Sequence, residues 1–111
     1  MLKRHKVTEL NDAFRKNPSR GRIIPSRGVA LCGQEFLAKA LKAVAEFNRF
    51  TIFNDPDRDH GCCRIDVDGV PVLFRIEYYM RGNGFISPDP SNEKITLRVG
   101  TLMFPDEYEG R

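Results

Sequence analysis

Asn54-Asp55-Pro56-Asp57-Arg58-Asp59-His60-Gly61-Cys62-Cys63 gathers three carboxylates, an imidazole and two thiols in consecutive residues. These are the groups that move protons, act as nucleophiles and ligate metals. Asp57, Asp59, His60 and Cys62 could offer mixed oxygen, nitrogen and sulfur ligands, with Cys32 or His5 arriving from elsewhere, yet the spacing fits no closed zinc pattern and lacks a Cys-x-x-Cys pair. Asp55-x-Asp57-x-Asp59 has the spacing that opens a calcium loop, but Pro56 intrudes, His60 precedes the glycine and no Glu closes it. His60 beside Asp59, with Cys62 nearby, has the groups of a base and a nucleophile, although sequence neighbours rarely aim their side chains at one another. Asn-Asp-Pro and Asp-His-Gly are also turn chemistry, because Asn and Asp bond nearby backbone. Asn54, Asp55, Asp57, Asp59 and His60 are therefore the loop candidates; no metal and no cofactor is expected, and His60 is read as a turn residue. A small enzyme or metal-binding protein using the Asp55–Cys63 loop is the alternative.

Secondary structure must hold this loop in place. Thr8 is placed to cap a first helix to about Lys16, with Val7, Leu10, Ala13 and Phe14 on one face. Asn17-Pro18 stops it. Arg22-Ile23-Ile24 reads as a short strand meeting Pro25, which suits an edge, and Gly28–Cys32 as extended or turn structure. Residues 34–50 carry the clearest helical stripe, Leu37, Leu41 and Val44, which should pack on a sheet. Residues 63–79 alternate around Asp68-Gly69, a strong hairpin turn, so that Val67 pairs Val70, Ile65 pairs Val72 and Cys63 pairs Phe74 on the buried face. Cys63 is then a small core residue, and Tyr78 continues that register. Residues 94–104 carry apolar groups on both faces, which predicts a central strand, and Pro105-Asp106-Glu107-Tyr108 a final helical turn. The fold class is α+β: one two-layer domain over residues 1–111, an antiparallel sheet with a β-hairpin, covered by one main helix plus a short N-terminal helix.

Composition bounds the function classes. A chain of 111 residues with eight Phe and three Tyr can build one core. No stretch approaches the about 20 apolar residues of a membrane span, the basic N-terminus leads into no apolar signal segment, and three cysteines make no disulfide framework. A cytoplasmic protein without membrane contact is expected. Residues 1–30 hold eight basic side chains against Glu9 and Asp12, a local balance of +6 within a net charge of +3. Such a face suits phosphate or an acidic partner, although no helix-turn-helix, finger or aromatic RNA-binding signature accompanies it. Nucleic-acid contact through this basic third is a further alternative.

Tyr and Arg are the residue types of interface hot spots, and they cluster near the end of the 63–79 hairpin. The preferred reading is a binding module for a protein or ribonucleoprotein partner. It uses Arg15, Lys16, Arg20, Arg22 and Arg27 from the basic third, with Arg75, Tyr79 and Arg81 from the strand end.

Several segments, taken in order, resemble a family of small bacterial domains of unknown function frequent on plasmids and phages. They are Leu10-Asn11-Asp12-Ala13-Phe14-Arg15, Asn54-Asp55-Pro56, Asp59-His60-Gly61, Ile76-Glu77-Tyr78-Tyr79, Ser87-Pro88-Asp89-Pro90, Thr96-Leu97-Arg98-Val99, Thr101-Leu102-Met103 and Glu107-Tyr108. The chain departs from that pattern at Gly61-Cys62-Cys63, at Glu77 where Asp is usual, and at Met80. The resemblance implies a mobile-element accessory protein that blunts a host defence system by binding it, such as an anti-CRISPR.

Overall fold

The computed structural model describes residues 3–109. Helix α1 spans Lys3–Lys16 and buries Leu10 and Phe14 on the expected face. It begins more than a turn before Thr8, so Thr8 is no N-cap and the N-terminal helix is not short. Nothing in Lys3-Arg4-His5-Lys6 breaks a helix, and the Thr8 hydroxyl instead lies 3.0 Å from the Arg4 carbonyl and 2.8 Å from that of Arg58. Asn17-Pro18 ends α1 as expected, in a 3-10 turn over Pro18–Arg20.

Strand β1 is Arg22–Pro25 and helix α2 is Arg27–Leu31. The extended reading of residues 28–32 is corrected: Ser26 caps α2 by accepting from the Val29 N–H at 3.2 Å, and Val29 fills the core with no exposure. Helix α3 is Gln34–Glu46, four residues shorter than the periodicity predicts. Phe47 leaves the helical region and turns edge-on against Phe50, with ring centroids 4.8 Å apart. Asn54 fixes the returning chain by accepting from the Thr51 N–H and donating to the Arg49 carbonyl.

The hairpin is β2, Cys62–Val67, and β3, Val70–Met80, joined by Asp68-Gly69 with φ of 53° and 83°. Those two positive values define the turn whose twist matches the strands. The register pairs Val67 with Val70, Ile65 with Val72 and Cys63 with Phe74, as the alternation requires. Strand β4, Thr96–Met103, is central in the order β1-β4-β3-β2, and α4, Pro105–Glu109, follows it. The sheet is not wholly antiparallel, because β1 takes the outer edge of β4 in parallel and stops at Pro25, which lacks a donor.

Helices α1, α2 and α3 cover one face of the sheet, and Phe14, Val44, Val72, Phe74 and Leu102 meet between the layers. The two layers of an α+β domain are thus in place. No helix among the described residues is long and apolar enough to cross a membrane.

Candidate functional site

Residues 54–61 dock onto α1. Arg58 and His60 both take positive φ, 58° and 59°, a conformation that side chains adopt only when surroundings hold them there. Asp55, buried, is one such hold: both its carboxylate oxygens accept from the His60 N–H at 3.3 Å. Asp59 accepts from the Gly61 N–H at 2.9 Å. The His60 ring stacks on Phe50 with centroids 3.9 Å apart, its Nδ1 2.8 Å from an Asp12 oxygen and its Nε2 3.7 Å from Asp55. Arg15 reaches the same Asp12 oxygen at 2.8 Å, donates to the His60 carbonyl at 3.3 Å and sets its guanidinium over the Phe50 ring, 4.8 Å from the centroid. Asn54 and Asp57 point away from this cluster, Asn54 into its own turn and Asp57 into solvent.

The electrostatics follow from these contacts. Burial opposes charge on Asp12, but the hydrogen bonds to His60 and Arg15 outweigh it and hold the carboxyl below the usual aspartate range. Burial dominates at Asp55 and pushes it up. Burial also pushes the Cys63 thiol up to about 12. Cys62 counts as exposed by surface area, yet its thiol is raised too, because its surroundings desolvate the sulfur. Both shifts run against the thiolate form that a nucleophilic cysteine needs. Among the described residues no three His, Cys, Asp or Glu side chains are placed to hold one metal ion.

Asp12 supplies a pH test of this loop. Its depressed pKa gives stability that is present above the unfolded value of about 4 and lost as pH falls through the lower folded value. Asp12→Asn is expected to melt below the parent at pH 7, the gap closing below pH of about 4. Asp55 acts with the opposite sign, since its ionised form costs stability above its raised pKa. Thermal melts of Asp12→Asn and, separately, Asp55→Asn against the parent across pH measure the two; a gap independent of pH would contradict the assignment.

The other face of the sheet carries a different set. Only α4 packs there among the described elements, through Tyr108, whose ring lies under the Arg75 guanidinium at 5.2 Å. Across the strands one row runs Ile24, Thr101, Arg75, Cys62 and the next Arg22, Val99, Glu77. Leu97 stands opposite Tyr79, and Arg64 and Asp66 complete the β2 side. Glu77 links its neighbours, accepting from Arg75 and from the Tyr79 hydroxyl, each at 3.2 Å. Ile24 is 50% exposed, so this face is not a closed core.

The residues read from sequence therefore separate into groups. Arg22, Arg75 and Tyr79 share the open face. β2 pairs with β3 only as far as Arg75, which is therefore flanked on both sides, whereas Tyr79 lies beyond β2 and is bridged there by Ile86. Arg20 and Arg81 converge on Glu93, through its carboxylate at 2.6 Å and its carbonyl at 3.1 Å. Arg15 is 3% exposed and turned inward; Lys16 is exposed beside a groove of about 240 Å³ that His60 and Phe50 line. Arg27 is exposed at the start of α2.

Residues 26–107 match a family described as "Protein of unknown function (DUF3768)". The chain belongs to this family. No curated protein and no solved structure matches it. The DUF3768 segment holds the 54–61 loop and strands β2 to β4, while α1 and β1 precede it. Its two ends meet: Glu107 accepts from the Ser26 hydroxyl at 2.6 Å, from the Gly28 N–H at 3.1 Å and from the Phe104 N–H at 2.7 Å. Sequence reasoning missed two participants here, Asp12 beneath His60 and Ile24 on the open face, while the hairpin alternation already placed Arg64 outward with Arg75 and Glu77. Outward alternation in β1 was the available signal for Ile24, and the Leu10-Asn11-Asp12 segment the one for Asp12.

Proposed function

We propose that this DUF3768 protein is a non-catalytic binding module whose open sheet face holds one protein partner, alone or within a ribonucleoprotein. The observation that carries this reading is the division of labour between the two faces. Asp55, Asp59 and His60 bond backbone, Asp12 or each other, whereas the open face sets Arg22, Arg64 and Arg75, with Glu77 and Asp66 among them, around the apolar and aromatic surface of Ile24, Leu97 and Tyr79. That mixture fits a partner carrying carboxylates around an apolar patch, and Tyr and Arg supply most of the energy in such contacts. The chain's role is then that of a mobile-element accessory protein that occupies a host defence complex stoichiometrically, as an anti-CRISPR does.

Affinity capture from a bacterial lysate, with and without nuclease, tests this. A stoichiometric protein partner that survives nuclease, weakens with salt and is lost with Arg75→Glu or Tyr79→Ala but kept with Asp57→Ala is the expected result. Recovery of nucleic acid alone would favour the basic-third alternative. Substrate turnover abolished by His60→Ala would overturn the binding reading in favour of an enzyme.

A further inference from the structure

Strand β2 is an uncovered sheet edge. In the hairpin register Cys63, Ile65 and Val67 spend their backbone bonds on β3, so the N–H and C=O groups of Cys62, Arg64 and Asp66 point away from the sheet. Among the described residues none of these outward groups has a backbone or side-chain partner. Beside them runs a trough in two contiguous parts of about 430 and 380 Å³, lined by Glu46, Phe47 and Arg49 at and after the end of α3 and by Arg64 and Asp66 of β2. An unpaired edge of this kind is a template for another strand, which neighbouring strands occupy at about 4.8 Å.

Charge decides which strand fits. Arg64 and Asp66 both face outward on the open side, both are exposed, and neither forms an ion pair among the described residues. Their partners across the hairpin, Leu73 and Pro71, are uncharged. We propose that two copies of this chain pair through their β2 edges, antiparallel, to make one continuous sheet. With Ile65 of each copy on the twofold axis, Arg64 of one copy stands opposite Asp66 of the other, and the symmetry repeats the contact. The outward backbone groups of those two residues are the ones that exchange hydrogen bonds in that register. Shifting so that Arg64 meets Arg64 places like charges together and is disfavoured. The two open faces become one surface, although the pairing does not depend on what that surface binds.

Sedimentation of the full chain over a concentration series tests the pairing. The parent is expected to show a concentration-dependent dimer. Arg64→Asp and Asp66→Arg should each weaken it by about tenfold, since each change creates two like-charge contacts. Combining both changes in one chain should restore the dimer. An equimolar mixture of the two single variants should form a heterodimer, because each then supplies the charges the other needs. Both positions are solvent-exposed, and circular dichroism confirms that the variants fold. A chain that stays monomeric throughout overturns the proposal, including the case in which the edge accepts a strand of another protein, and so does a dimer indifferent to either reversal.

Discussion

Asn11→Ala is expected to cost about 3 kcal/mol of folding stability, the scale of hydrogen bonds to a buried charge. Asn11 has no exposure, and every polar atom of its side chain is used: Nδ2 donates to the Asp59 carbonyl and the Tyr78 hydroxyl, each at 2.9 Å, and Oδ1 accepts from Arg98 Nε at 2.7 Å. Arg98 is 4% exposed and has no carboxylate within ion-pair distance among the described residues. Its charge rests on Asn11, the Pro90 carbonyl at 2.7 Å and the face of the Tyr78 ring, with Nη1 left unpartnered. Burial already pulls its pKa down. Removing the amide leaves Nε without an acceptor inside the protein, a penalty well above the bond's own net worth. Arg98→Met in the same chain removes the cation that needed the amide, so the double variant should recover more than half of the loss. Urea unfolding at constant m value measures it. A single-variant loss below about 1 kcal/mol, or a double loss equal to the sum of the singles, would contradict this account.

Gly100→Ala is expected to be comparably damaging. Gly100 lies in the central strand opposite Ile76, and a Cβ there would stand 2.5 Å from both Cε1 and Cζ of Phe74 and 3.1 Å from Cε2 of Phe14. Those rings are 0% and 1% exposed and lie against each other with centroids 6.3 Å apart, so neither can step aside without disturbing the layer of α1 on the sheet. Overpacking of this kind costs about 3 kcal/mol at the upper end of its usual range. Phe74→Leu combined with Gly100→Ala trades ring volume for the methyl and should melt above Gly100→Ala alone. A calorimetric melt in which Gly100→Ala matches the parent would show that the two layers are looser than the contacts imply.

What could be read from the chain divides along contact range. The hairpin register, the edge position of β1 and the final turn were legible because each rests on a local cause: an Asp-Gly turn between alternating runs, a proline without a donor, a Pro-Asp-Glu start. Arg98 shares a strand face with Thr96, Gly100 and Leu102, but the alternate face, with Leu97, Val99 and Met103, is the more apolar, so its inward place was not legible. Nor was its acceptor, because Asn11 lies on α1 and only the packed layers bring them together. The same holds for His60, whose role as a turn residue follows from local chemistry while its contact with Asp12 does not. Arg15 read as part of a basic surface because sequence counts charges without direction; in the fold, Asp12 and Phe50 draw it inward. Helix α2 was hidden by its five-residue length and the glycine inside it.

The most direct test of the central claim is chemical-shift mapping of the isotope-labelled chain titrated with the captured partner. Shifts concentrated on Arg22, Ile24, Arg75, Tyr79 and Leu97, saturating at one partner per chain, are the predicted result. Shifts confined to Asp55, Asp59, His60 and Cys62, with the open face unmoved, would contradict it.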